Sequence, residues 1–282
     1  IGLAFARLLL AKGCSVILAD KTLRPETQTL LDEYAPSSSS AVTDGASSKP
    51  QAIFHETDVT SWSQLDATFT RATTSLPSLD IVAASAGLEE PTWASFWEKP
   101  TGPDPNGYAV LDVNLTAPVR LSQLAISHWT RSRRPGCLVH VGSQAGYTSG
   151  LGTPLYFASK HGLHGFVRSL AALKGELGIR SGCVAPGAVR TPMWSEDPSK
   201  ASMVDESIDF SEPEEIASAM YDLVVDENLG SGTIYECTKA NGTRVVPEFN
   251  APPPPAGSGT LEGYVAAEEK LYERLREEGT EA

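Results

Sequence analysis

A tyrosine and a lysine four residues apart, Tyr156 and Lys160, are the residues of this chain whose types and spacing best suit catalysis. Residues at positions i and i+4 share one face of an α-helix. An ammonium group held beside a phenol favours the phenolate and lowers the pKa of the tyrosine, which is otherwise about 10. Such a tyrosine can exchange a proton with an alcohol or a ketone oxygen near neutral pH. A solvated surface pair is the alternative for this spacing taken alone.

Ser143 adds a hydroxyl to this pair. It lies thirteen residues before Tyr156 and follows the apolar run 137–141, which predicts a buried strand. A serine at the end of such a strand can hydrogen-bond the same substrate oxygen that the tyrosine serves. The three side chains together predict proton transfer to or from an alcohol or carbonyl oxygen.

The elements that must position these residues alternate between helices and strands. Helices are predicted over residues 1–12, 22–34, 61–76 (with Ser61 as N-cap), 108–131, 154–177, 212–226 and 261–278. Strands are predicted over residues 14–20, 52–56, 79–84, 137–141, 179–184 and 233–237, and loops over 36–50 (a flexible insertion), 89–106 and 186–211. Apolar strands separated by helices predict an α/β fold with a doubly wound parallel sheet. We expect one domain over residues 1–249, followed over 250–282 by a Pro-rich connector and a charged helix.

Small or polar residues directly follow five of the predicted strands. They are Asp20, Asp58, Gly87, Ser143 and Pro186. The carboxyl ends of parallel strands lie at one edge of the sheet, where doubly wound folds bind their ligands. We therefore expect a single site at this edge.

Composition and charge limit the possible partners. The 282 residues are 41% hydrophobic and 20% charged, with a net charge of −13. This acidity argues against nucleic acid, whose binding needs clustered Lys and Arg. Because no apolar run approaches the roughly 20 residues of a membrane span, we expect no membrane insertion and a cytoplasmic location.

The cysteines and histidines do not predict a metal site or a disulfide framework. The four cysteines, Cys14, Cys137, Cys183 and Cys237, are widely spaced and are interpreted as small buried hydrophobic residues in a reducing compartment. No spacing of His, Cys and carboxylate residues is typical of metal ligands, and a structural role is expected for His140, His161 and His164.

Taken together, the motifs resemble those of the short-chain dehydrogenase/reductase family from Ile1 to about Cys237. In chain order they are Ile1-Gly2, Asp20, Asp58-Val59, Ser85-Ala86-Gly87, Asn114, Ser143, Tyr156 with Lys160, and Pro186-Gly187. More loosely, the chain is similar to fungal members described as 15-hydroxyprostaglandin-dehydrogenase-like. The resemblance implies a Rossmann-like fold and a dinucleotide cofactor.

The resemblance also implies how the cofactor is held. Ile1 and Gly2 match the end of the family's glycine loop, where backbone amides and a helix N-terminus face a pyrophosphate. Asp20 would accept hydrogen bonds from both adenosine ribose hydroxyls and repel a 2′-phosphate, which favours NAD over NADP, although Lys21 and Arg24 lie nearby. The other cofactor contacts implied are Asp58, Val59, Ser85, Ala86, Gly87, Tyr156, Lys160, Pro186, Gly187, Val189 and Thr191.

By the same resemblance, Tyr156 is the general acid/base and Lys160 also binds the nicotinamide ribose. Ser143 orients the substrate oxygen, and Asn114 bends its helix and supports a water relay to Lys160. The implied reaction is hydride exchange between a secondary alcohol or ketone and the nicotinamide. Residues expected to line a pocket for an apolar or aromatic substrate, or else to pack under the loop 194–210, are Gln144, Tyr147, Leu151, Met193 and Trp194.

The chain departs from the family pattern at its start. The family's first strand and the earlier glycines of its phosphate loop would precede Ile1 and are absent from this sequence. Weak NAD binding and low stability are therefore expected for this chain. A catalytically impaired dinucleotide-binding scaffold is one alternative, and an epimerase or dehydratase on the same fold is another. The resemblance further implies a homodimer or homotetramer, formed through the helices at 108–131 and 154–177.

Overall fold

A computed structural model describes residues 1–35, 49–99, 101–102, 107–195, 209–247 and 262–277. Its helices are α1 (Gly2–Ala11), α2 (Pro25–Glu33), α3 (Trp62–Ser75), α4 (Ala109–Leu111), α5 (Ala117–Ser132), α6 (Pro154–Ser169), α7 (Leu173–Leu177), α8 (Pro192–Ser195), α9 (Pro213–Val225) and α10 (Glu262–Glu277). Its strands are β1 (Val16–Asp20), β2 (Ala52–Glu56), β3 (Ile81–Ala84), β4 (Gly136–Val141), β5 (Ile179–Pro186), β6 (Ser231–Thr238) and β7 (Gly242–Val245). Shorter turns are the 3₁₀ segments Thr92–Ala94 and Gln144–Gly146 and the π segment Asp112–Thr116.

The sheet is mostly parallel and is covered on both faces. Strands β3, β4, β5 and β6 run parallel in that spatial order, and β1 pairs in parallel with β2. Along β4, Val139 packs in one core cluster with α1 and α9, whereas Leu138 packs in another with Trp129 of α5. Consecutive residues of the same strand thus pack against helices on opposite faces of the sheet, which confirms the predicted α/β architecture.

The sheet is divided between β1 and β3. Strand β1 pairs only with β2, and β3 only with β4, among the described residues. The two facing edges border a cavity of about 560 Å³, which α1 and α3 also line. Apolar side chains such as Phe5, Leu18 and Val82 line it, as expected for the interior of a sheet.

One strand was missed by the sequence analysis, which took the strand at 233–237 as the last. Strand β7 pairs antiparallel with β6, so the sheet is not entirely parallel. The two strands are joined by the three-residue turn 239–241, and Gly242, the first residue of β7, has a φ of 64°. A glycine at positive φ is common at the end of a three-residue hairpin turn. This signal was present in the sequence.

Two of the predicted helices are interrupted. The helix expected at 108–131 contains the π segment Asp112–Thr116. The helix expected at 154–177 ends at Ser169, because Leu170 and Ala171 form i→i−3 bonds to Val167 and Arg168 before α7 begins. Helix α3 begins as predicted after Ser61, but the Ser61 side chain makes no capping bond and its hydroxyl contacts the hydroxyl of Ser63 instead.

The cysteines and the last helix can also be compared with the predictions. All four cysteines are free thiols, and three are buried. Helix α10 is mostly exposed over residues 267–277, but Leu275 is buried against the Trp129 cluster. No helix among the described residues has the length and apolar character to cross a bilayer. Most of the predicted insertion at 36–50 and the connector that begins at residue 250 lie outside the described residues.

Replacement of Gly136 tests the packing beneath the sheet. Any Cβ at this position would lie 2.1 Å from the indole of Trp129, which is fully buried and donates its Nε1–H to the Leu79 carbonyl oxygen. We expect Gly136→Ala to lower the free energy of unfolding by about 1–3 kcal/mol or more in urea titrations. Gly165→Ala is the control: its Cβ would meet nothing within 4 Å inside α6, so it should stabilise by about 0.5–1 kcal/mol. Equal effects of the two variants would contradict the packing described.

Candidate active site

Lys160 ties α6 to the end of β4. Its side chain is 4% exposed, and its Nζ donates a hydrogen bond of 3.0 Å to the carbonyl oxygen of Val141, the last residue of β4. Burial lowers the pKa of Lys160 to about 8, so the ammonium form still predominates at pH 7. This hydrogen bond fixes the position of α6 relative to the end of β4.

Ser143 and Tyr156 meet at this junction. Ser143 lies two residues beyond β4, and its Oγ accepts the backbone N–H of Ala145 at 3.1 Å. Its hydroxyl also lies beside the Tyr156 phenol, whose pKa it lowers. The Nζ of Lys160 lies 5.6 Å from the centroid of the Tyr156 ring. The structure therefore brings together the three residues that the sequence analysis selected.

The predicted lowering of the Tyr156 pKa is wrong for the protein by itself. Burial raises the pKa of the phenol, and the negative charge of Glu89 raises it further. The Ser143 hydroxyl lowers it, but less than burial raises it. Lys160 does not reverse the direction, because its own hydrogen bond goes to Val141 rather than to the phenol.

Asn114 connects the π segment to the loop after β3. Its side chain is 1% exposed, and its Oδ1 accepts the N–H of Leu88 at 2.8 Å. Its Nδ2 donates to the Leu88 carbonyl at 2.7 Å and to the Ser159 hydroxyl at 3.2 Å. The surface or capping role that is usual for asparagine does not apply here. Asn114 instead holds the β3 loop against α6, one residue away from Lys160.

The residues matched to a dinucleotide gather at the carboxyl ends of β1 and β3. Gly2, Asp20 and Ser85 all line the cavity between these strands. A Cβ at position 2 would lie 2.4 Å from the Ser85 hydroxyl oxygen, so only glycine lets the first turn of α1 come this close. That turn has no side-chain cap, and its backbone N–H groups suit an anion. These features fit the pyrophosphate and ribose of a dinucleotide.

The other positions matched to the cofactor differ in their burial and in their polar contacts. Asp58 accepts the backbone and side-chain donors of Thr60 and pairs with Lys21 at 2.9 Å, and these contacts lower its pKa to about 2. Ala86 is exposed, and Ile1, Val59, Ser85, Gly87, Pro186, Gly187, Val189 and Thr191 are at least partly buried. The Val189 side chain packs in the core cluster of α1 and α9, so a ligand could meet only its backbone.

Gln144 and Tyr147 lie beside a buried carboxylate that the sequence analysis missed. Glu236 of β6 is 1% exposed and receives two hydrogen bonds from Arg244 of β7, at 2.6 and 2.8 Å. It also accepts the Tyr147 hydroxyl, and Gln144 joins the same network. Arg244 lowers the pKa of Glu236, whereas burial and then Glu236 raise the pKa of Tyr147. The predicted pocket wall thus contains a fixed ion pair.

The remaining pocket candidates are less enclosed. Leu151 is 80% exposed, and its carbonyl accepts the indole N–H of Trp97 at 2.9 Å. Met193 and Trp194 lie in α8, where the Trp194 ring packs edge-on against Phe210 with 5.8 Å between centroids. Residues 196–208 lie outside the described residues. Both predicted roles of these residues, pocket lining and support of the loop, therefore stay predictions.

Sequence reasoning missed Glu90 as well as Glu236. Glu90 is 7% exposed, and its carboxylate accepts the backbone N–H groups of Leu155 and Tyr156. Leu155 and Tyr156 lie 65 and 66 positions further along the chain, so no local pattern could reveal these two contacts. Glu236 lies directly opposite Arg244 in the hairpin of β6 and β7, whose second strand the sequence analysis did not predict.

The comparison with protein-family models now identifies the chain. A model described as short chain dehydrogenase matches residues 1–202. This protein belongs to the short chain dehydrogenase family. No group of three or more His, Cys, Asp or Glu side chains that could hold a metal ion occurs in the described part of this dehydrogenase fold.

Individual relatives agree with this family. The short-chain dehydrogenase/reductase prx4 of Penicillium rubens is 30% identical over 199 residues, which cover 70% of this chain and 54% of the relative. The chain thus spans about half the length of that relative. Human 15-hydroxyprostaglandin dehydrogenase (NAD+) is 29% identical over 263 residues, covering 86% of this chain and 88% of the human one.

The solved structures that resemble this short chain dehydrogenase include complexes with a reduced dinucleotide. A 4-hydroxyisoleucine dehydrogenase mutant complexed with NADH and succinate matches with a TM-score of 0.66 at 26% identity, covering 85% of this chain and 93% of that one. A second structure, 4-hydroxyisoleucine dehydrogenase complexed with NADH, matches with a TM-score of 0.65 at 25% identity over 84% and 92% of the two chains. These matches confirm the Rossmann-like, dinucleotide-binding fold.

Two buried imidazoles near the site make stability depend on pH. Burial lowers the pKa of His140 to about 4 and that of His164, which stacks on Tyr147, to about 3. A histidine whose folded pKa lies below its unfolded value of about 6.5 stabilises the fold fully above pH 6.5, and this contribution is lost as the pH falls. We expect urea titrations to give a lower free energy of unfolding at pH 5 than at pH 7, with a smaller difference in His140→Gln. Equal stability of the parent at both pH values would contradict this expectation.

Proposed function

We propose that this protein is an NAD-dependent oxidoreductase that interconverts a secondary alcohol and a ketone. The observation that carries the proposal is the junction of β4 and α6, where Ser143 lies beside Tyr156 and lowers its pKa, and where Lys160 is buried one helical turn away. Family membership supports the general reaction class. The residue roles and the cofactor preference are our proposals.

In the proposed reaction, Tyr156 handles the proton and Ser143 orients the reacting oxygen. The Tyr156 phenol donates its proton to a ketone oxygen, and the phenolate removes the proton of an alcohol. The nicotinamide, when bound, supplies or accepts the hydride at the carbinol carbon. The buried Lys160 ammonium stabilises the phenolate while it lasts. Because burial raises the pKa of Tyr156, alcohol oxidation should accelerate with rising pH and ketone reduction should slow down.

The electrostatics at the end of β1 support NAD rather than NADP. Asp20 ends that strand with an exposed carboxylate, which suits ribose hydroxyls and repels a 2′-phosphate. Lys21, the nearest cation in the sequence, is paired with Asp58 at 2.9 Å. A 2′-phosphate would therefore have to compete for Lys21 with a carboxylate. The human relative carries NAD+ in its name, and the solved relatives are complexed with NADH.

The surroundings of the site support a substrate with apolar or aromatic parts. Leu88, Trp93, Phe96 and Trp97 follow β3 with 37% to 55% of their surface exposed, and Trp97 contacts Leu151 across the site entrance. We further propose that the protein is cytoplasmic and forms a homodimer or homotetramer through α5 and α6. Sedimentation equilibrium tests this assembly, and a monomer at micromolar concentration would contradict it.

Replacement of Tyr156 tests the proposed function. The protein is assayed on a panel of secondary alcohols and ketones with NAD(H) and NADP(H) in parallel, following the absorbance of the reduced cofactor. We expect turnover that falls by about 100-fold or more in Tyr156→Phe, the range of general acid–base catalysis. The matched control makes the same substitution elsewhere: Tyr221→Phe, on α9 and outside the site, should leave turnover unchanged.

Two outcomes of this assay would contradict the proposal. NAD binding without turnover on the whole panel would favour a dinucleotide-binding scaffold. Conversion of substrate without net change in the reduced cofactor would favour an epimerase or dehydratase. Turnover that survives in Tyr156→Phe would leave the reaction class but remove Tyr156 as its acid/base.

Replacement of Asp20 tests the cofactor preference. Asp20→Asn removes the charge that repels a 2′-phosphate and keeps the side-chain size. We expect the ratio of kcat/KM for NADP to that for NAD to rise by about 10-fold or more. Asp32→Asn, at an exposed carboxylate on α2, is the control and should leave the ratio unchanged. A preference for NADP in the parent protein would contradict the assignment of Asp20.

A further inference from the structure

Glu90 is a buried carboxylate that joins two separate parts of the site. It lies in the loop after β3 and is 7% exposed. One oxygen, Oε2, accepts the backbone N–H groups of Leu155 at 2.7 Å and Tyr156 at 3.2 Å. The other, Oε1, accepts the N–H of Phe96 at 2.7 Å and the Ser95 hydroxyl at 3.1 Å. Four donors from two chain segments therefore meet at one carboxylate.

The contacts of Oε2 complete the first turn of α6. The first N–H groups of any helix lack partners within that helix and need an acceptor from elsewhere. In α6, Pro154 has no N–H, and the residue at the N-cap position, Thr153, makes no side-chain capping bond. The next two N–H groups belong to Leu155 and Tyr156, and both bond Glu90. Glu90 thus caps α6 from a distant part of the chain and also complements the positive end of the helix dipole.

The contacts of Oε1 hold a segment that we call the aromatic loop, residues 91–97. Its Trp93, Phe96 and Trp97 are 41%, 53% and 55% exposed. The loop reaches across to the segment before α6, where the Trp97 indole N–H donates to the Leu151 carbonyl oxygen at 2.9 Å. The loop and the first turn of α6 therefore border the same space, and Glu90 is bonded to both.

We propose that Glu90 is a positioning residue that holds the backbone of Tyr156 and the aromatic loop in a fixed relation, so that the phenol meets the substrate oxygen beside Ser143. This inference rests on the proposed function, because it assigns Tyr156 to proton transfer. Glu90 acts through Tyr156 and needs no contact with the substrate. Its role is distinct from that of Lys160, which fixes α6 one turn further along.

The test compares graded replacements of Glu90 with a matched cap elsewhere. Glu90→Gln keeps one acceptor oxygen, and Glu90→Ala keeps none. We expect kcat to fall in the order parent, Glu90→Gln, Glu90→Ala, by about 100-fold in the last, because displacement of a reacting group by about 1 Å can cost that much. KM for NAD should not change, since Asp20 and Gly2 are untouched. Glu215→Gln is the control, because Glu215 closes the capping box of α9 and should lower only the melting temperature.

Amide hydrogen exchange measures the cap itself, independently of turnover. In Glu90→Ala, the amides of Leu155 and Tyr156 should exchange faster, whereas Glu215→Gln should leave them unchanged. Unchanged exchange in Glu90→Ala would overturn the proposal. Faster exchange with an unchanged kcat would also overturn it, because Glu90 would then only stabilise the helix.

A titration of Tyr156 tests the positioning role of Glu90 even if no substrate is turned over. The ionisation of Tyr156 is read as the difference in near-ultraviolet absorbance between each protein and its Tyr156→Phe counterpart. Burial and Glu89 raise this pKa in the parent, and the Ser143 hydroxyl lowers it. We expect loss of Glu90 to expose the phenol to water and to move it away from Glu89, so in Glu90→Ala the pKa should fall towards its ordinary value of about 10. An unchanged pKa would overturn the positioning role, while absence of turnover in the parent would count only against the proposed function.

Discussion

The hydrogen bond from the Lys160 ammonium to the Val141 carbonyl is the interaction on which the candidate site depends. It joins the last residue of a central strand to the middle of a helix whose first turn carries Tyr156. Desolvation of an ammonium group is costly, and burial lowers the Lys160 pKa to about 8. The buried Lys160 ammonium is held there by its hydrogen bond to the Val141 carbonyl oxygen. The position of α6 on β4 is therefore set by electrostatics as well as by apolar packing.

Close packing makes this bond possible. A Cβ at Gly142 would lie 2.4 Å from the ring of His164, and a Cβ at Gly146 would lie 2.2 Å from it. The strand end and the following 3₁₀ turn can approach α6 only because both positions lack a side chain. Asn114 and Glu90 then bind the β3 loop to the same helix, at Ser159 and at Tyr156. The end of β4, the π segment and the loop after β3 thus converge on a single helix, and the proposed proton-transfer groups lie where they meet.

The sequence allowed the fold and the central residues to be predicted, because their signals are local or belong to a recognisable pattern. The period of the apolar residues gave β2 at its observed bounds, and Ser143, Tyr156 and Lys160 occupy one junction as expected. The direction of the Tyr156 pKa could not be obtained in this way, since it depends on burial and on Glu89, which only the folded chain brings near. Glu90 escaped because the helix amides that it binds lie 65 and 66 positions further along the chain, and Glu236 escaped because its partner Arg244 lies on the strand that was not predicted. The break at Ser169 followed no proline or glycine and had no sequence signal.

Tyr156 and Lys160 are proposed to act together as one catalytic unit at the junction of β4 and α6. Residues that act as a unit show strongly non-additive losses, whereas independent residues show losses that multiply. The most direct measurement is a double-mutant cycle of single-turnover rates for Tyr156→Phe, Lys160→Met and the double variant at high protein concentration. If the two residues act as one unit, the double variant should be about as slow as the slower single variant. A double variant slowed by the product of the two single losses would contradict it.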